Sequence, residues 1–166
     1  MHIPRKGKSI GEKMEAGQRP VMELLAPAGT VEAFQTAVAA GADAVYIGAP
    51  ALNARALAKN FSMAEIAAMV DHAHGHRAKV YVAMNSLVKE EEIPAAVETL
   101  AALEALAVDA LIIQDLGLYW LARHHFPKLR LHASTLMTAH NSLAVRQFAA
   151  MGFQRVVLAR ELTLGE

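Results

Sequence analysis

The sequence predicts an α/β fold of repeated βα units around a parallel sheet. Short runs of aliphatic and β-branched residues alternate with longer Ala-rich segments whose apolar positions recur at helical spacing. The strand runs, such as Ala44 to Gly48, lack polar alternation, as expected of strands covered on both faces. An internal echo supports the register: Ala40-Gly41-Ala42-Asp43-Ala44-Val45-Tyr46-Ile47 resembles Ala107-Val108-Asp109-Ala110-Leu111-Ile112-Ile113, each a helix end feeding a buried strand. Right-handed crossovers then place all the strand C-terminal ends on one face.

The elements follow in order. Residues Met1 to Pro20 carry Arg5, Lys6, Lys8, Lys13 and Arg19 without apolar period and read as a flexible, mildly basic arm, followed by one domain over 21–166. Strand one is Met22 to Ala26, stopped by Pro27; Thr30 caps the helix Val31 to Ala40, and Gly41 suits its C-terminal end. Strand two is Ala44 to Gly48. A long loop, Ala49 to Phe61, leads to the capping box Ser62-Met63-Ala64-Glu65 and the helix Met63 to His74. Strand three, Lys79 to Met84, precedes a helix opening among Glu90, Glu91 and Glu92 with Pro94 in its first turn. Strand four is Ala110 to Ile113, the next helix Leu116 to His125, and strand five Leu129 to Ala133. A fifth helix, Thr138 to Met151, leads to strand six, Arg155 to Ala159. Two architectures accommodate these six strands: an open doubly wound sheet, or part of a closed eight-stranded barrel, which usually needs about 250 residues. The glycine-rich dinucleotide fingerprint is absent from the first turn.

Composition narrows the chemistry. Sixteen basic and sixteen acidic residues balance, so no global charge pulls the chain toward nucleic acid or an anionic membrane. With no membrane span and no signal-peptide core, the expected location is the cytoplasm. With no cysteine, a thiolate metal site and an iron–sulfur cluster held by this chain are excluded. No cofactor is expected.

The strand C-terminal ends offer Tyr46, Asn85, Gln114, Asp115, His132, Ser134, Thr135, Arg160 and Glu161, with Asn53 and Arg55 on the long second loop. Polar residues there read as binding or catalytic. Arg160, Glu161 and Asn85 are the catalytic candidates, and Arg55, Asn53, His132 and Ser134 the substrate-binding ones. The bland alternative is an Arg–Glu pair and strand-end caps that satisfy one another. A Ser134–His132–Asp115 triad fits the residue types but not the elbow motif. Glu23, at the beginning of strand one, reads as structural. His72, His74 and His76 lie at a helix C-terminus, where imidazolium complements the dipole, so no metal is assigned. Tyr119 and Trp120 read as packing.

The motifs Glu23-Leu24-Leu25-Ala26-Pro27-Ala28-Gly29, Gly41 through Gly48, Asn60-Phe61-Ser62, Lys79 through Leu87, His132-Ala133-Ser134-Thr135 and Arg155 through Leu162 occur in this order. Together they resemble the N-terminal half of the collagenase-like peptidase U32 family. The resemblance implies a TIM-barrel-like fold, here a partial barrel of six strands, with its catalytic face at the strand C-terminal ends. Arg55, Asn85, Arg160 and Glu161 match its pattern. It implies a peptidase of unknown catalytic type; the alternative is a component of oxygen-independent hydroxylation of RNA bases or quinone precursors, or a catalytically silent assembly subunit. The iron–sulfur cysteines of several members have no counterpart here. A partial barrel leaves edge strands open, so self-association or a completing partner chain is expected, with peptide or RNA as substrate and no membrane.

Overall fold

All six strands pair in parallel and in sequential order, β1-β2-β3-β4-β5-β6, in a computed structural model that describes residues 22–53 and 61–163. The basic arm over 1–20, and Arg55, Lys59 and Asn60 of the long loop, lie outside the described residues. The strands are β1 (Leu25–Pro27), β2 (Ala44–Gly48), β3 (Lys79–Met84), β4 (Ala110–Ile113), β5 (Leu131–Ala133) and β6 (Arg155–Val156). Between them run α1 (Val31–Ala39), α2 (Met63–Gly75), α3 (Ile93–Ala105), α4 (Leu116–His125) and α5 (Ser142–Ala150). A doubly wound sheet reverses its strand order at a switch point; this one never does. Every crossover therefore steps the same way and lays its helix on the same side. The sheet curls into a partial barrel with the helices outside, and the doubly wound alternative falls.

Strand alternation then sorts the side chains. Outward-facing Val45, Ile47, Val80, Val82, Leu111, Ile113 and Leu131 are fully buried against Phe34, Ile66, Leu100, Leu103 and Leu118 of the helices. Inward-facing Ala44, Tyr81, Ala110 and Ile112 form a second, smaller cluster with Leu25, Tyr46 and Ala83. Both faces are covered, which explains the missing polar alternation.

Several element boundaries differ from expectation, β1 beginning at Leu25 rather than Met22 and β5 at Leu131 rather than Leu129. Pro27 is the last residue of β1, paired opposite Tyr46, one position beyond the expected end at Ala26. As an edge strand, β1 turns only alternate N–H groups toward β2, Ala28 N donating to Tyr46 O at 3.0 Å, so the missing donor falls on the open side. The fifth helix begins at Ser142, because Thr135–Met137 forms a 3-10 turn ending in left-handed Thr138 (φ 55°). Asn141 supplies the cap, its Oδ1 accepting from Leu143 N and Ala144 N at 3.1 and 3.0 Å. That turn also shortens β6 to two residues; beyond it, pairing continues only as the single parallel bridge Ala139–Leu158.

Tyr119 packs as expected, stacked on Phe153 and donating to Met151 O at 2.7 Å. Trp120 does not: it is 52% exposed on the outer side of α4, because its neighbour one position back already fills the inward slot. His74 pairs with Asp109 at 2.9 Å, and His76 lies 2.8 Å from His72 O, so these imidazoles fasten the end of α2.

At the N-terminal end of the sheet the inner face turns polar. The Glu23 carboxylate accepts from Lys79 Nζ, Tyr81 Oη and Arg155 Nη1, each at 2.7 Å. Burial pushes this carboxyl up, but the hydrogen bonds from Arg155, Lys79 and Tyr81 outweigh it and hold the pKa at about 2. Burial and the Glu23 hydrogen bond raise the Tyr81 phenol to about 12, and the hydrogen bond to Glu23 raises Arg155. The Arg155 guanidinium also lies 5.2 Å from the Tyr81 ring centre. Since Glu23 immediately precedes β1 and Arg155 is in β6, this carboxylate ties the first strand to the last across the open side of the barrel.

His132 sits one layer up, 6% exposed, its ring meeting Tyr81 edge-on at 4.8 Å. Burial, and then the Arg155 charge, push its pKa down to about 4, so it is neutral at physiological pH.

Two predictions concern stability. Ile113→Ala, at a fully buried site in β4, is expected to cost about 2–5 kcal/mol in urea unfolding. In acid, an unfolded His132 with its ordinary pKa of 6.5 takes up a proton before the folded one at about 4, so stability is full above pH 6.5 and falls toward pH 4 by roughly 3 kcal/mol. The Glu23 contribution is present above its ordinary value of 4.5 and lost as pH falls toward 2. Unfolding midpoints measured against pH should decline through both windows, with His132→Gln flattening only the upper and Glu23→Gln only the lower. A midpoint flat across the upper window would contradict the assignment of His132.

Candidate functional site

The strand C-terminal ends surround a pocket of about 430 Å³. Its floor is the inner face of the sheet: Leu25 of β1, Tyr46 of β2, Ala83 of β3 and Ile112 of β4. Its walls are the turns that follow the strands, including Ala28 and Gly29 after β1, Asn53 and Phe61 around the β2–α2 loop, Asn85 after β3, and Ser134 with Thr135 after β5. Val157, Leu158 and Arg160 close it from beyond β6. Strands at both ends of the sheet thus contribute, which the Glu23–Arg155 tie makes geometrically available.

Each polar wall residue is held by its own local chemistry. Asn53 is buried, its Nδ2 donating to Ala49 O at 2.7 Å. It follows Leu52 in a left-handed conformation (φ 60°), which is unusual for a branched side chain and is anchored by Ser86 N donating to Leu52 O at 3.0 Å. Gly48 leaves room beneath it: a Cβ there would approach the Asn53 amide carbon to 3.2 Å. Ser134 is 1% exposed and caps the 3-10 turn, its Oγ accepting from Leu136 N at 3.2 Å and facing Asn85 Nδ2 at 3.5 Å. Thr135 donates to Leu158 O at 3.0 Å, fastening the end of β5 to the chain beyond β6.

Of the residues picked from the sequence, Asn53, Asn85, Ser134 and Arg160 meet in this one pocket. Glu161 does not join them; it is exposed and lies 3.8 Å from His140, whose side chain is less exposed. His132 is deeper in the barrel, among Tyr81 and Arg155. Arg55 lies outside the described residues.

The triad is not assembled. Ser134 and His132 occupy successive inward positions of one chain with no hydrogen bond between them, and Asp115 caps α4, accepting from Leu118 N at 2.8 Å and Val88 N at 3.3 Å. A buried imidazole held neutral to about pH 4 is also a poor acceptor for a hydroxyl proton. Among the described residues no group of three or more His, Asp or Glu side chains is arranged to hold a metal ion. What the pocket does present, among the described residues, is side-chain amides and hydroxyls at fixed positions, the rings of Tyr46 and Phe61, and the Arg160 guanidinium.

Sequence reasoning missed Phe61 and Leu136 as lining residues, and missed Lys79, Tyr81 and Arg155 as partners of Glu23. A signal for the latter was present. Lys79, Tyr81, His132 and Arg155 are polar residues on the inward positions of strands whose outward positions are aliphatic.

Comparison with known proteins accords with this geometry. The model of Peptidase family U32 matches residues 29–166. An uncharacterized protease of Methanocaldococcus jannaschii is 40% identical over 88% of this chain and 35% of its own length. The Escherichia coli 23S rRNA 5-hydroxycytidine C2501 synthase is 39% identical, with 87% of this chain and 22% of that protein covered. The tRNA hydroxylation protein P of the same organism is 37% identical over 87% of this chain and 32% of its own. The chain thus spans about a third or less of the length of these relatives. A solved U32 peptidase shares the fold with a TM-score of 0.66 at 15% identity, covering 91% of this chain and 64% of that one. With the family model matched over most of the chain, and with the sequential parallel barrel that the solved member shares, the chain belongs to the peptidase U32 family.

Proposed function

We propose that this chain is the base-binding barrel segment of a U32 protein that acts on RNA. The observation that carries the reading is the pocket itself: fixed amides and hydroxyls, two aromatic rings and the Arg160 guanidinium, without an assembled nucleophile and base among the described residues. An extruded base is recognised by hydrogen bonds to its edge and by ring contacts, and its phosphate by arginine. Asn53, Asn85 and Ser134 are suited to the first, Tyr46 and Phe61 to the second, and Arg160 to the third. Relatives named as a 23S rRNA 5-hydroxycytidine synthase and as tRNA hydroxylation proteins support the same direction.

An iron–sulfur cluster does not fit the residues of this chain. Such clusters are held chiefly by thiolates, and the sequence contains no cysteine. The part played by these residues is therefore to bind, orient and shield a base from water.

Binding is testable by fluorescence anisotropy with a labelled RNA hairpin carrying an unpaired pyrimidine. Asn85→Ala is expected to weaken it about 5- to 10-fold, the loss of one neutral hydrogen bond, and Arg160→Ala more, as a charge-assisted contact. No binding of the hairpin, together with cleavage of gelatin that disappears in Ser134→Ala, would replace this reading with a peptidase.

A further inference from the structure

The zero net charge conceals a sharp asymmetry. Between Asp115 and Glu161 the sequence has no acidic residue, yet six of its sixteen Lys and Arg residues lie there. Arg155 is neutralised inside the barrel by Glu23. Arg123, Lys128, Arg130, Arg146 and Arg160 are all exposed, and none makes an ion pair among the described residues. On the same side stands Trp120, half exposed, with the His124 ring stacked on it at 4.3 Å and 24° and His125 edge-on at 5.6 Å. Arg123 of α4 reaches the end of α5, its guanidinium packing on Gly152, where a Cβ would meet it at 3.1 Å; one carboxylate borders the area, Glu104 of α3 accepting from Lys128 N at 3.0 Å.

We infer that the outer side of α4 and α5, centred on Trp120 and carrying Arg123, Lys128 and Arg146, is a docking surface for an RNA strand. Charge complementarity selects a polyanion, and a solvent-facing indole already stacked on one planar ring selects a polyanion that carries bases. An acidic protein would supply the charge but nothing to stack. The inference extends the reading of the pocket: Arg160, in its lining, belongs to the same acid-free segment, so a strand whose base enters the pocket continues onto this side.

Trp120 is the only tryptophan in the chain, so its emission reports on this surface alone. The chain would be titrated with unlabelled single-stranded oligouridylate while Trp120 emission is followed, and separately with the labelled strand by anisotropy. Expected are quenching that saturates together with the anisotropy and, for four phosphate contacts, affinity falling roughly 50-fold from about 50 to 200 mM salt. Lys128→Gln with Arg146→Gln should lower the logarithmic salt slope by about 1.4 and Trp120→Ala should weaken binding at every salt concentration, with circular dichroism unchanged for both.

The surface is overturned by binding that leaves Trp120 emission unchanged, by an unaltered affinity in the double variant, or by polyglutamate binding equally well. The pocket variants Asn85→Ala and Arg160→Ala separate the two readings. If they abolish binding while the α4 variants retain it, the surface fails and the pocket stands; the reverse result sustains the surface and removes the pocket.

Discussion

The carboxylate of Glu23 is the constraint on which the rest depends. A partly buried carboxylate is costly unless its oxygens are used, and three donors from β3 and β6 use them at 2.7 Å each. Removing one partner leaves the others with an uncompensated charge, which is why such clusters hold together or fail together. Here the consequence is topological. Six strands stepping one way must curl, and the Glu23–Arg155 contact determines how far, by bringing the first and last strands within reach of one side chain.

Function and stability then divide along the strand axis. At the N-terminal end of the inner face, Glu23, Tyr81 and Arg155 are locked in mutual contact. At the C-terminal end the chain leaves each strand through a turn, and the side chains of those turns face a cavity. His132 and Ser134 illustrate how short the transition is. Two residues apart in one chain, the first is buried against Tyr81 and the second lines the pocket.

A balanced total charge says little about a surface. The acidic residues lie mainly on the first three βα units and the unpaired cations on the last two, so one molecule carries a region of each sign. Mean composition averages this away, whereas position along a sequentially ordered sheet preserves it, because neighbouring segments of the chain are neighbours in space.

Much of the fold was legible in the sequence because it rests on local chemistry. Apolar runs gave β2, β3 and β4 at their observed bounds, and side-chain caps at Thr30 and Ser62 open their helices as their residue types dictate, whereas the capping role of Asp115 on α4 was not read. Turns after strands also identified Asn53, Asn85, Ser134 and Arg160 as neighbours of one cavity. Strand order was not legible, since a βα repeat is compatible with a single or a double winding. Nor was the exposure of Trp120, because an aromatic pair on a short helix does not reveal which member faces the core. The roles of Glu23 and Glu161 depended on the same kind of information: each carboxylate is defined by which distant residue comes within hydrogen-bonding reach, and 132 residues separate Glu23 from Arg155 until the sheet curls.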